Sequence, residues 1–126
     1  MMVKRSRILA LAFPAALLLI TACSLFLPAR GPLKFDPPEL PGTQVGAPYE
    51  ARVTVSDNAT PPGSFAISEG ALPPGLQVEQ IEHTNTARIF GTPQQAGTFH
   101  FKIYVWCYGT NVSGQTGEKE YSIAVK

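Results

Sequence analysis

Thr98-Phe99-His100-Phe101-Lys102-Ile103-Tyr104-Val105-Trp106-Cys107 decides the fold of this chain. Phe99, Phe101, Ile103, Val105 and Cys107 fall on one side and His100, Lys102, Tyr104 and Trp106 on the other, which is the period of two of a half-buried β-strand. The same alternation sets Tyr49, Ala51, Val53 and Val55 against Glu50, Arg52 and Thr54, and ends at the turn formers Ser56, Asp57 and Asn58. Further strands are predicted over 64–68 with Phe65 and Ile67 inward, over about 76–82 and 86–90 with His83, Thr84 and Asn85 between them, and over 120–125 with Tyr121, Ile123 and Val125 inward. No window shows a sustained helical period. Six or seven strands, with turn signals roughly every ten residues, describe an all-β antiparallel sandwich.

The connections between strands are rich in proline and glycine. Leu72-Pro73-Pro74-Gly75-Leu76 joins two strands, and Gly91-Thr92-Pro93-Gln94-Gln95-Ala96-Gly97-Thr98 joins the two strongest. Proline fixes φ and glycine reaches backbone conformations closed to other residues, so both strings force tight, reproducible turns. With Gln44-Val45-Gly46-Ala47-Pro48-Tyr49 before them and the closing Tyr121-Ser122-Ile123-Ala124-Val125, they resemble the Ig-like domain of the bacterial haemagglutinin and polycystin type, a relative of cadherin-like and dystroglycan-like modules. The resemblance covers residues 33–126. It implies an Ig-like β-sandwich of about seven strands used for adhesion, display or assembly, usually in tandem copies; this sequence contains one copy and no internal repeat.

The chain departs from that family at one place that matters. Many members follow the long strand with an acidic residue that helps calcium-binding relatives hold a metal between domains, and here the corresponding stretch is Val105-Trp106-Cys107-Tyr108. Asp36 and Asp57 stand alone in the sequence, whereas calcium takes six to eight oxygens, so no calcium site is expected. His83 and His100 are the only imidazoles, and neither has a cysteine or carboxylate at zinc-ligand spacing. No metal or cofactor is expected.

Catalysis has no foothold in the sequence either. A hydrolase needs a nucleophile, a base and an orienting group that converge, yet the two histidines lie on separate predicted elements. Glu118 and Glu120 flank Lys119 and read as a solvated strand edge rather than an acid/base pair. The chain is not expected to be an enzyme. Asn58-Ala59-Thr60 and Asn111-Val112-Ser113 match glycosylation acceptors, a pattern of high chance frequency.

Residues 1–22 set an address. Lys4, Arg5 and Arg7 lead into an apolar run from Ile8 to Ile20, shorter than the roughly 20 residues that a bilayer-crossing helix needs. Ile20-Thr21-Ala22-Cys23 then resembles the box of a bacterial lipoprotein signal, in which the cysteine is lipidated and becomes the new N-terminus. That resemblance implies a signal peptide over 1–22, a lipid of the palmitate class on Cys23, and a place in the cell envelope. Ser24 after the cysteine implies the outer membrane in a Gram-negative source, on its periplasmic or its surface side. Residues 24–32, with Pro28 and Pro32, form a semi-rigid spacer of roughly 3 Å per residue, so the domain at 33–126 stands some 20 to 30 Å from its anchor.

Composition closes off other classes. Without the first 22 residues, which carry three of the ten lysines and arginines, seven cations face nine carboxylates and the formal net charge is −2. The cations are scattered from Arg30 to Lys126, so no basic stripe is available for nucleic acid. Once Cys23 carries lipid, Cys107 is left without a partner, and its place on the apolar side of the long strand makes it a small buried hydrophobe; an intermolecular disulfide and a reactive thiol are the alternatives.

The outward side of the long strand is the candidate binding surface. His100, Tyr104 and Trp106 on the strand, with Tyr108 and Asn111 on the glycine-rich loop from Tyr108 to Gly117, offer aromatic area and polar tips that suit a sugar ring or a peptide. The expected function is a membrane-anchored, non-catalytic binding or adhesion module that touches an envelope protein or carbohydrate. The competing reading is a passive structural or accessory subunit of an envelope assembly. Exposure of Tyr104 and Trp106 favours the first and burial of both the second.

Overall fold

The computed structural model describes residues 30–110 and 114–126; the signal peptide over 1–22, Cys23 and Asn111 lie outside them. The described chain forms seven strands, β1 (Lys34–Asp36), β2 (Tyr49–Ser56), β3 (Pro62–Gly70), β4 (Leu76–Gln80), β5 (Thr86–Gly91), β6 (Gly97–Cys107) and β7 (Thr116–Val125). They pair antiparallel in two sheets of order β1-β2-β5-β4 and β3-β6-β7. This is the four-plus-three strand order of a constant-type immunoglobulin sandwich.

The alternation seen in the sequence is what the core uses. Val53, Val55, Ala87 and Ile89 project from the first sheet against Phe101, Ile103, Val105 and Ile123 from the second, and all eight are almost completely buried. Each of the valine and isoleucine side chains contributes about 1.5–3 kcal/mol relative to exposure, Ala87 less, and Phe101 adds a stacked contact with Tyr121 at 6.3 Å between centroids. Cys107 ends the inward row of β6 as a buried free thiol, and desolvation there pushes its pKa up. A thiol in that state is a poor nucleophile.

Three elements depart from the sequence reading. β1 has only three residues, too few for any period to show, and is recruited by its register Lys34↔Ser56 and Phe35↔Val55. β7 starts at Thr116 rather than 120, so Thr116 and Gly117 come out of the expected loop, and Glu118 and Lys119, read as a solvated strand edge, are strand residues opposite Tyr104 and Ile103. β3 runs from 62 to 70 rather than 64 to 68, with register shifts between Pro62 and Ser64 and between Ile67 and Glu69; Phe65 and Ile67 face inward as expected, Ile67 packing half-buried against the core.

The three turn motifs that carry the family resemblance meet at one end of the sandwich. Gly46 N–H donates to Pro93 O at 2.9 Å and Gln94 N–H to Pro74 O at 2.8 Å, while Pro73 and Pro93 are fully buried. Gly75 and Gly91 have φ of 96° and 133°, and a Cβ on Gly91 would run into the Gly75 carbonyl. Only glycine satisfies both demands. The segment from Pro37 to Thr43 crosses from the first sheet to the second, is held by Tyr49 Oη donating to Pro41 O at 2.9 Å and Tyr121 Oη to Pro37 O at 2.8 Å, and ends where Thr43 bridges Val125. The Asp36–Pro37 peptide is cis.

Candidate binding pole

The opposite end of the sandwich is built differently, from the β2–β3 connection (57–61), the β4–β5 turn (81–85), the β6–β7 connection (108–115) and the incoming residues 30–33. In a sandwich of this topology these connections must share one pole, because every second strand of the chain ends there. Asp57 and His83 adopt left-handed φ of 61° and 60°, a conformation that Asp and His tolerate better than most residues. Thr84 closes its turn by donating from Oγ1 to Ile81 O at 2.8 Å.

One side chain ties the pole together. Gln115, the buried polar residue of the described core, donates from Nε2 to Gly31 O at 2.8 Å and to Asp57 O at 3.0 Å, and accepts at Oε1 from Ala59 N–H at 2.7 Å. It therefore fixes the incoming chain, the β2–β3 connection and the foot of β7 with one amide, each bond worth about 1 kcal/mol net. Asn58 and Asn85 join the β2–β3 connection to the β4–β5 turn through their amides, with Asn85 Nδ2 donating to Asn58 Oδ1 at 3.1 Å. Lys34 and Asp57 form an exposed ion pair at 2.8 Å, and this bonded carboxylate holds the lysine ammonium above its ordinary range.

The aromatic pair of this pole is Trp106 and Tyr108, edge to face with centroids 5.1 Å apart. Trp106, opposite Ser64 and Thr116, lays its indole over Gly63 of β3 at the bulge, where a Cβ would overlap the ring. It remains 38% exposed, and Tyr108 remains 53% exposed. Tyr108 is locked by its backbone, its N–H donating to Pro61 O at 3.1 Å and its carbonyl accepting from Thr60 Oγ1 at 2.6 Å. Beside it lies an open cleft of about 530 Å³ between the edges of the two sheets, lined by Pro62, Gly63, Gln80, Glu82, Asn85 and Tyr108 among others.

The residues singled out from the sequence do not all gather here. Tyr104 is half-buried between Ala66 and Glu118 in mid-sheet. Lys102 is held by Glu69 at 3.1 Å, which raises its pKa by hydrogen bond and charge. His100 is exposed, pairs with Ser122, and stands six residues from Trp106, about 20 Å along the strand. The structure thus joins Trp106 to Tyr108 and sets His100 at the far end. Gln115 and Gly63 escaped the sequence reading. Gly63 carried a signal, since glycine inside a strand marks a bulge or a close approach, but Gln115 in a polar loop carried none.

Among the described residues no group of three His, Cys, Asp or Glu side chains is placed to hold a metal ion. No described helix is long and apolar enough to cross a membrane.

The two sheet orders and their two poles define an immunoglobulin-like β-sandwich. Its sequence matches the model of the family described as "Putative Ig domain" over residues 31–126, and the chain belongs to that family. It is similar in structure to the SrpA adhesin of Streptococcus sanguinis, at 13% identity and a TM-score of 0.56 over 75% of this chain and 57% of that one. It is also similar to an endo-fucoidan hydrolase of glycoside hydrolase family 107, at 19% identity and a TM-score of 0.50 over 78% of this chain and 14% of that chain. A chimeric titin Z1Z2 fragment matches at 13% identity and a TM-score of 0.51, over 79% of this chain and 98% of that one. Identities this low describe a shared fold. No curated protein matches the chain.

Proposed function

We propose that this chain is a non-catalytic binding or adhesion module of a bacterial cell envelope, held to a membrane by lipid on Cys23. Its contact surface is the pole formed by Trp106, Tyr108 and the cleft beside them. The observation that carries the reading is the exposed, edge-to-face Trp106–Tyr108 pair on an end of an Ig-like sandwich that Gln115 and the Asn58–Asn85 pair tie together by hydrogen bonds. Large aromatic side chains fixed by their surroundings give contact area with little entropy left to lose. The Ile20-Thr21-Ala22-Cys23 box supports the anchor. The adhesin among the structural neighbours is consistent with a binding role at the level of fold.

Tyr108→Ser is the cleaner test of the surface, because Trp106 also roofs Gly63 and its removal touches the fold. The variant is expected to melt with the parent and to lose retention of envelope material that the parent holds. Full retention by Tyr108→Ser would contradict the reading. For the anchor, Cys23→Ser is expected to move the protein from the membrane to the soluble fraction and to abolish palmitate labelling.

A further inference from the structure

We propose that the pole carrying Trp106 and Tyr108 faces the membrane that holds Cys23, and that the aromatic pair rests in its headgroup layer. The inference rests on the reading of Cys23 as the lipid anchor, and it names what the candidate surface touches.

The first observation is where the chain enters the fold. Gly31 is held by Gln115, Lys34 lies opposite Ser56, and Arg30 reaches Thr110 of the β6–β7 connection, so the segment from Cys23 joins the sandwich at the aromatic pole. The C-terminal Val125 lies at the other end, opposite Gly97. A domain hung from its N-terminus by this segment presents the aromatic pole to whatever holds the N-terminus.

Lengths decide the orientation. Seven residue steps separate Cys23 from Arg30, a reach of at most about 25 Å for fully extended chain, so the stand-off expected of an extended spacer is an upper limit that a pole resting at the headgroups does not use. The eleven-residue β6 spans about 33 Å from one pole to the other. The leash is shorter than the domain. Pressing the far pole end-on against the membrane would demand a leash longer than the domain, so only the aromatic pole can meet the bilayer head-on.

The side chains suit that place. Of the three exposed large apolar residues among those described, Trp106 and Tyr108 touch each other at this pole, and Val45 stands at the other, beside Lys126. Trp and Tyr favour the water–lipid boundary because one part of the ring is apolar and the other hydrogen-bonds. The nearby charges balance, with Arg30 and Lys34 against Asp57 and Glu82, so the contact does not depend on anionic lipid.

Trp106 is the only tryptophan in the chain, which makes the test direct. Full-length protein purified with its lipid is reconstituted into phosphatidylcholine vesicles and floated. Trp106 emission is expected to shift to the blue and, with brominated phosphatidylcholine, to lose roughly half of its intensity in low and high salt alike, as an interfacial indole does. With the reporter moved to the far pole in Trp106→Phe/Thr98→Trp, no quenching is expected. Flotation with an unshifted, unquenched Trp106 overturns the inference while the anchor stands, and so does equal quenching of both reporters or a response that appears only with an added membrane protein. Failure of the protein to float overturns the anchor itself, and the orientation with it.

Discussion

The indole of Trp106 lies over Gly63, across the β3–β6 pair and at the bulge between Pro62 and Ser64, in the space that a Cβ there would fill. The most exposed aromatic strand residue of the candidate surface therefore has a built seat, held against Gly63 and Tyr108 while 38% of it stays exposed. The bulge and the missing side chain are one device, since an alanine here has nowhere to put its methyl group.

Gly63→Ala should displace the ring outward, because a half-exposed indole can move more easily than a paired strand. The expected outcome is a red shift of Trp106 emission with a stability loss of about 1 kcal/mol, at the low end for overpacking. Fluorescence and urea denaturation on the same samples check it; an unmoved emission maximum would mean that the seat is not as described.

Gln115→Leu should loosen the whole pole. It leaves the Ala59 N–H and the Gly31 and Asp57 carbonyls without their partner, a loss of about 2 kcal/mol for buried groups stripped of hydrogen bonds. The denaturation midpoint is expected to fall with an unchanged slope. Hydrogen exchange should rise at residues 57–60 and leave β6 protected.

Gly91→Ala should cost more than its size suggests. The φ of 133° is strained for any side chain, and the new Cβ meets the Gly75 carbonyl, so about 2–3 kcal/mol of stability is expected to be lost, as measured by thermal melting.

Alkaline stability should turn on Tyr121. Burial, reinforced by the nearby Asp36 charge, pushes its phenol from 10.0 up to about 12, and Tyr49 is raised by burial as well. The folded state prefers the neutral phenol, so this contribution is complete below pH 10 and is lost as pH climbs from there through 12. Tyr121→Phe should lower stability at pH 7 by about 1 kcal/mol through loss of the bond to Pro37 O. It should also flatten the decline above pH 10, with Tyr49, Cys107, Lys34 and Lys102, whose folded-state values are raised as well, supplying what remains. Melting temperatures across pH 7 to 12 test both halves.

The fold was legible because alternation is a local signal: β2 buries Tyr49, Ala51, Val53 and Val55 in the order the sequence dictates, and β6 buries Phe101, Ile103, Val105 and Cys107. What sequence missed was nonlocal. β1 is too short to show a period, and Thr116 to Lys119 become strand only because β6 is there to pair with them. The recognisable motifs around Gly46, Pro73 and Gly91 turn out to be braces of the far pole, which explains why they report the family and not the partner. The candidate surface is assembled from Gly63, Trp106, Tyr108 and Gln115, residues with no motif around them and sequence separations of up to 52.

The central claim is that this protein works by contact through its N-terminal pole. A photo-crosslinking residue placed at Tyr108, and separately at Thr98 on the opposite pole, in cells that make the full-length chain, tests it most directly. The account predicts an envelope adduct from position 108, with membrane lipid where the pole rests in the headgroup layer, and none from position 98. The same adducts from both positions, or adducts from 98 alone, would contradict it.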